Sequence, residues 1–182
     1  TLELPPYRRP EIGRVLVRSL FDRTLFVLGR AAAVAAPAGA VIWLLSNLTV
    51  GDASLLSHAA SFLDPIGRVF GMDGVILIAF FLGFPANEIV IPIMLMAYTA
   101  TGSLAEVGSV AEIREIFLSA GWTPLTVIST TLFALFHFPC STTLLTVKRE
   151  TGSLRYTLLA FFLPLVLGLL LCFTVAGIYR LF

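Results

Sequence analysis

The sequence predicts an all-α integral membrane protein. It has about three spanning helices plus one re-entrant hairpin, or four spans, with amphipathic helices on the membrane surface. Three observations predict this class. The 182 residues are 58% hydrophobic and 13% charged, against about 45–50% and about 25% in soluble domains. Apolar segments long enough to cross a bilayer recur along the chain. Two of them are interrupted by a proline with polar neighbours: Gly83-Phe84-Pro85-Ala86-Asn87-Glu88 and His137-Phe138-Pro139-Cys140-Ser141-Thr142-Thr143.

Residues 1–23 read as a cytoplasmic or interfacial lead-in, and 24–182 as the transmembrane domain. The first 23 residues carry eight charges, which is no signal-peptide pattern. The chain starts at Thr1, and the expectation is a segment of something larger. Leu4-Pro5-Pro6-Tyr7-Arg8-Arg9-Pro10 is too rich in proline for regular helix. Ile12, Val15, Leu16 and Leu20 then recur at helical spacing, with Arg14, Arg18 and Asp22 on another side. That pattern suits a helix lying on the cytoplasmic membrane surface, or one packed on another domain.

Segment A, about 24–45, is long enough to span. Arg30 near its start can snorkel to the interface, Pro37 and Gly39 can kink it, and Trp43 fits an interfacial anchor. Residues 46–73 form a loop with a second amphipathic stretch, whose apolar stripe is Leu55, Leu56, Ala59, Phe62, Leu63 and Ile66. His58 falls on its polar side and reads as a surface histidine. Segment B, about 74–99, carries the Gly83–Glu88 interruption at its middle. Residues 101–121 are polar, with a short surface helix around 111–117. Segment C, about 123–147, is broken at Pro139. Residues 148–155 read as a basic turn, and segment D, about 158–178, ends in Tyr179-Arg180.

Charge sets the topology. Residues 1–23 carry five Arg against three acids, and 148–155 carry Lys148, Arg149 and Arg155 against Glu150, a net +2 each. Both belong in the cytoplasm by the positive-inside rule. If all four segments crossed, the C–D turn would fall outside. The conflict disappears if one broken segment is a hairpin. Segment B is preferred, because its halves of about 10 residues each reach roughly 15 Å, half the hydrocarbon core. Segment C as the hairpin also satisfies the basic loops.

Irregular backbone at membrane depth is tolerated where it lines a wet cavity or is buried in protein. Broken helices make ion and substrate sites, with freed carbonyls facing cations. Pro85 and Pro139 free such carbonyls; Pro92 and Pro164 lack polar neighbours and read as kinks. Glu88 is the only carboxylate inside segment B, and a charge there is a functional candidate by default. It can equally bond freed backbone or pair with Arg30. Asn87 offers a carbonyl oxygen or a cap for the second half-helix. The Cys140 thiolate is a soft ligand and the His137 imidazole suits iron, zinc, copper and nickel. Ser141, Thr142 and Thr143 add hydroxyls. The candidate metal ligands are therefore Cys140, Glu88, His137 and Ser141, with Asn87, Pro85, Pro139 and Thr142 along a transport path. Cys140 can also be packing; Cys172, among apolar neighbours, is read as packing. Ser129-Thr130-Thr131 reads as helix-to-helix bonding. The sequence contains no phosphate loop, nucleophile elbow or HExxH. A net charge of +1 argues against a nucleic-acid partner.

Leu2-Glu3-Leu4-Pro5-Pro6-Tyr7-Arg8, Gly83 to Val90, Phe138 to Thr143 and Lys148-Arg149-Glu150-Thr151-Gly152-Ser153 together resemble the C-terminal membrane part of FeoB ferrous-iron transporters. The resemblance covers essentially the whole chain and matches the second of that family's two gate regions. It implies Fe²⁺ uptake across the bacterial cytoplasmic (inner) membrane, with iron as the transported ion and no permanently bound cofactor. It also implies partners: the lipid bilayer, an N-terminal G domain that binds GTP and Mg²⁺, and a first gate region, in the same or a companion protein. A homo-oligomer is left open. Cys140 takes the position implicated in the family's iron path. Ser141 and Thr142 replace the small residues common there, and Asn87 stands where the family often has Lys. By analogy with nucleoside-transporter repeats, a hairpin pairs with a broken helix. Two rivals stand beside iron transport: a gate-type transporter of a nucleoside-like solute, and a non-transporting assembly module.

Overall fold

The computed structural model describes residues 24–102 and 109–181, with the isolated positions 13, 17 and 21 before them. Of the surface helix expected over 12–20, Gly13 and Val17 are described, both helical and exposed; its other positions lie outside the described residues, as does the Arg30 side chain. The chain divides into two compact units, Thr1–Ala36 and Pro37–Phe182. Helix α1, Leu25–Asn47, begins in the first and ends in the second. Pro37 lies inside it without ending it, and Trp43 is exposed. All that follows concerns the second unit.

After α1 comes a short antiparallel ribbon, β1 Thr49–Val50 and β2 Ala53–Ser54. Its tight connection uses Gly51 at φ +68°, the left-handed backbone that glycine adopts without penalty. The ribbon was not expected. His58 is exposed and its Nε2 lies 3.0 Å from the Val50 carbonyl, in keeping with a surface histidine.

Helix α2, Leu55–Val69, starts at Ser54, whose hydroxyl accepts the Ser57 amide at 3.2 Å. It is followed by α3, Gly74–Leu82, at an angle of 109°. The corner is built by close approach. A Cβ on Gly74 would lie 1.8 Å from the Ala60 carbonyl oxygen, and one on Gly71 (φ +75°) would lie 2.6 Å from Ser129 Oγ. The inward face of α2 is Leu56, Ala60 and Gly67. Phe62 and Ile66, expected on that stripe, are exposed at 79% and 50%. Lipid tails are as apolar as a protein core, so an outward-facing stripe has no need of a protein partner.

Segment B is a hairpin of two half-helices. Asp73 caps α3, its Oδ1 accepting the Ile76 amide at 2.7 Å. Residues 83–86 turn, Asn87–Ile89 form one 3₁₀ turn, and α4 runs Val90–Thr99. The halves are antiparallel. Tyr98 near the end of α4 donates its hydroxyl to Asp73 Oδ2 at the start of α3, at 2.5 Å. At the tip, a Cβ on Gly83 would lie 2.3 Å from Val90 Cγ2. Nine and ten residues give roughly 14–15 Å per arm. This pair supplies the core: Ile76, Ala79, Ile93, Met94 and Leu95 are each 2% exposed or less.

Helix α5, Val110–Ser119, is the expected short polar helix, capped by Ser109. Helix α6, Pro124–Phe136, opens with a Thr123 capping box and proline in its first turn, where the missing N–H costs nothing. Residues 137–140 break it. Helix α7, Ser141–Thr151, follows, and α8, Leu154–Leu181, returns. The basic turn expected over 148–155 is shorter than that. Lys148 and Arg149 belong to the last turn of α7, where cations favour the helix dipole, and Gly152 at φ +62° closes it. Pro124–Thr151 and Leu154–Leu181, of 28 residues each, are long and apolar enough to cross a membrane. Helices α6 and α8 pack closely, since a Cβ on Gly168 would lie 3.1 Å from Phe136 Cβ. Cys172, fully buried, donates its thiol to the Ser129 carbonyl at 3.3 Å. That is a polar partner where only apolar neighbours were expected. The Ser129-Thr130-Thr131 hydroxyls do not bridge helices. Thr131 Oγ1 bonds back to Val127 O at 2.8 Å, and Ser129 Oγ and Thr130 Oγ1 are buried without a partner.

Candidate functional site where the hairpin tip meets the helix break

The hairpin tip and the α6–α7 break touch through backbone. The Ser141 amide donates to the Phe84 carbonyl at 3.0 Å. The donor exists because Ser141 opens α7, where the first amides have no intrahelical acceptor. The acceptor exists because the Gly83–Ala86 turn frees its carbonyls. Each interruption satisfies a group that the other leaves open. Aromatic packing seals one side of the junction. The Phe84 and Phe138 rings lie 5.5 Å apart, and Phe138 stacks on Phe161 at 5.0 Å. Phe84 and Pro85 there line an apolar cavity of about 410 Å³ with Phe138 and Phe161.

The other side of the tip is more polar. Asn87 and His137 line one cavity of about 380 Å³ with Thr130 and Thr131 of α6. Of the two readings of Asn87, the cap is not the one seen, because the half-helix N-caps are Ala86 and Ile89, without side-chain bonds. His137 ends α6 in extended backbone, so it does not share a helical face with Cys140. Its Nδ1 lies 2.8 Å from the Ala134 carbonyl. Its Nε2 is buried with no hydrogen-bond partner, among the rings of Phe80 at 5.1 Å, Phe138 at 5.5 Å and Phe133 at 6.2 Å. Leaving such a group unsatisfied costs about 1–3 kcal/mol.

Cys140 sits at the N-cap of α7 in extended backbone, half-buried. Its Sγ lies 3.1 Å from both Thr142 Oγ1 and Thr143 Oγ1. The sulfur therefore faces two hydroxyls and the first turn of α7. Ser141 Oγ is buried without a partner. Glu88 is exposed on the 3₁₀ turn, and no group of three His, Cys, Asp or Glu gathers among the described residues. Of the eight candidates, the structure bonds Ser141 to the tip and Thr142 to Cys140, and sets Asn87 and His137 in the lining of one cavity.

Sequence reading missed the base of the hairpin. Tyr98 OH, besides donating to Asp73, accepts the Trp122 indole N–H at 3.0 Å, and Trp122 stacks on Phe117 at 4.1 Å. This network ties both hairpin arms to the start of α6. The tip, one arm away, then falls at the level where α6 breaks. An Asp directly before an apolar run was the available signal.

Known proteins bear on this geometry. Residues 28–154 match the family described as "Gate: Nucleoside recognition". Three curated relatives, each named "Fe(2+) transporter FeoB", are similar along the chain. The protein of Staphylococcus aureus MSSA476 is 31% identical over 100% of this chain and 27% of its own length. That of Synechocystis is 29% identical over 94% and 27%, and that of Leptospira biflexa 26% over 96% and 27%. The chain thus spans about a quarter of the length of these relatives. No solved structure matches. Apolar helices, a half-helix hairpin meeting a broken span, and these matches lead to one assignment: the chain is a multi-pass membrane protein of the Gate family and corresponds to the gate region of FeoB-type proteins.

Proposed function

We propose that this chain forms part of the path by which Fe²⁺ crosses the bacterial inner membrane, in a FeoB-type, GTP-dependent permease. The observation that carries the reading is the bond between the Phe84 carbonyl and the Ser141 amide. It brings two helix interruptions to one level, the arrangement that builds ion sites in transporters. The two interruptions carry the donors a borderline divalent metal accepts: the Cys140 thiolate, the His137 imidazole, the Glu88 carboxylate and hydroxyl or carbonyl oxygens. Few protein ligands and much water suit an ion that must leave again. GTP and Mg²⁺ act in a G domain outside this chain, and a first gate region completes the path.

The hairpin enters and leaves the bilayer on the outer face in this reading. Cysteine placed at Val110, which is 83% exposed, labels from the periplasm, and cysteine at Lys148 labels from the cytoplasm. Labelling of both from one side contradicts the re-entrant hairpin. Transport is tested by Fe²⁺ uptake into vesicles carrying the full-length protein. Cys140→Ala and Glu88→Gln are each expected to lower uptake at least about tenfold, since losing even a residue that only orients a metal ligand costs about 10–100-fold. Unchanged uptake in both removes the site.

The family description favours one other reading, a nucleoside-like solute hydrogen-bonded by Asn87, Glu88 and the hydroxyls. Uridine competing with Fe²⁺, or uptake of labelled uridine insensitive to Cys140→Ala, supports that reading against iron.

A further inference from the structure

Helix α7 is the polar half of the broken span. Only Leu144, Leu145 and Val147 of its residues are apolar, yet it belongs to the stretch Pro124–Thr151 that is long and apolar enough overall to cross a membrane. None of its residues is fully buried. Its sides differ. Leu144 and Val147 are half-buried, and the helix packs on α8. Thr143, Thr146 and Glu150 follow one another at spacings of three and four, which places them on one face, and all three are exposed. Arg149 lies at the edge of that face and is exposed too.

This row begins at the break. Thr143 Oγ1 lies 3.1 Å from Cys140 Sγ. One turn on, Thr146 donates its hydroxyl to the Thr142 carbonyl at 3.0 Å. The bond uses the proton and leaves the lone pairs of the oxygen open to an outside partner. Helix α8 offers no such surface at this level, because from Leu158 to Leu171 it has no side chain able to accept a hydrogen bond. Polar and charged side chains in a span turn to protein or to a water-filled cavity rather than to lipid.

We propose that Thr143, Thr146 and Glu150 line the inner, water-filled half of the path, along which a hydrated divalent cation passes from Cys140 to the cytoplasm. The proposal rests on the transport reading above and deepens it, since it adds the route by which the ion leaves the junction. Neutral hydroxyl oxygens and water hold such an ion weakly enough to let it go. The Glu150 carboxylate ends the row beside Lys148 and Arg149 and offsets their repulsion of a cation. The row faces away from the half-buried side of α7. Its opposite wall therefore comes from protein outside this chain, which spans about a quarter of its relatives' length.

The test is cysteine accessibility in full-length protein in inside-out vesicles. The probe is a membrane-impermeant, positively charged methanethiosulfonate, with the modified residue located by mass spectrometry. Thr143→Cys and Thr146→Cys are expected to react at least about tenfold faster than Leu144→Cys and Leu145→Cys, because a thiol in apolar surroundings stays protonated. Thr146→Phe, which narrows the row without touching Cys140, is expected to lose Fe²⁺ uptake, while Leu145→Phe keeps it. Equal rates at 145 and 146, or no reaction at 143 and 146, overturn the proposal. If that occurs while uptake still depends on Cys140 and Glu88, only the exit row falls. Faster reaction at 143 and 146 in a protein that takes up no Fe²⁺ removes the transport reading, and the row as an ion route with it.

Discussion

Gly74→Ala is expected to deprive the membrane domain of its fold. The added methyl would lie 1.8 Å from the Ala60 carbonyl oxygen and within 2.7 Å of the Asp64 amide nitrogen. Both are backbone atoms of α2, so no side chain can swing aside. The corner between α2 and α3 must open, and with it the cap that Asp64 gives the Gly74 amide at 3.2 Å. Overpacking ordinarily costs about 1–3 kcal/mol; a clash with rigid backbone on both helices lies at or beyond the top of that range, against a total stability of about 5–15 kcal/mol. Detergent-solubilised protein is expected to elute mainly as aggregate in size-exclusion chromatography, with a thermal midpoint lowered by several degrees or no transition at all. Gly177→Ala is the control. No atom lies within 4 Å of its added methyl, and alanine favours the helix by up to about 1 kcal/mol. A wild-type elution profile for Gly74→Ala contradicts the packed corner.

Ser141→Pro isolates the bond between tip and break. Ser141 is the first residue of α7, the position where proline is best tolerated. Cys140 before it already has φ −61° and ψ 158°, the conformation that a following proline requires. The helix is therefore expected to persist while the donor to Phe84 O disappears. A hydrogen bond is worth about 0.5–1.5 kcal/mol, which at its upper end shifts the ratio of joined to parted tip about tenfold. Folded protein with Fe²⁺ uptake reduced about tenfold is the expected result. Ser141→Ala keeps the amide and removes only the hydroxyl. A loss confined to the proline variant assigns the effect to the amide, and an equal loss in both assigns it to the hydroxyl oxygen.

Both interruptions were legible in the sequence because proline and polar residues inside apolar runs have a strong local cause. The antiparallel fold of segment B was legible for a different reason: the charges of the 148–155 turn left few topologies. The corner at Gly74 was not. Nothing local says that Gly74 faces Ala60 rather than lipid, since glycine is a common neutral residue in apolar helices. The ribbon around Gly51-Asp52 carried a turn signal too short to register among neighbouring polar residues. The pairing of Ser141 with Phe84 joins backbone groups far apart in sequence, and backbone groups are the same at every residue. Side-chain patterns therefore revealed where each helix breaks, but not that the breaks meet. His137 shows the same limit. Its residue type marked it as a candidate ligand beside Cys140, while the extended backbone on both sides of Pro139 sets it in the lining of a cavity with Asn87 and Thr130.

The central claim is that hairpin tip and helix break act as one transport site. The direct test is a double-mutant cycle on Fe²⁺ uptake by reconstituted full-length protein, using Glu88→Gln, Cys140→Ala and the double variant. Residues acting as a unit are strongly non-additive, so the double variant is predicted to transport no worse than the poorer single variant. Losses that multiply, each residue acting without regard to the other, would contradict the claim.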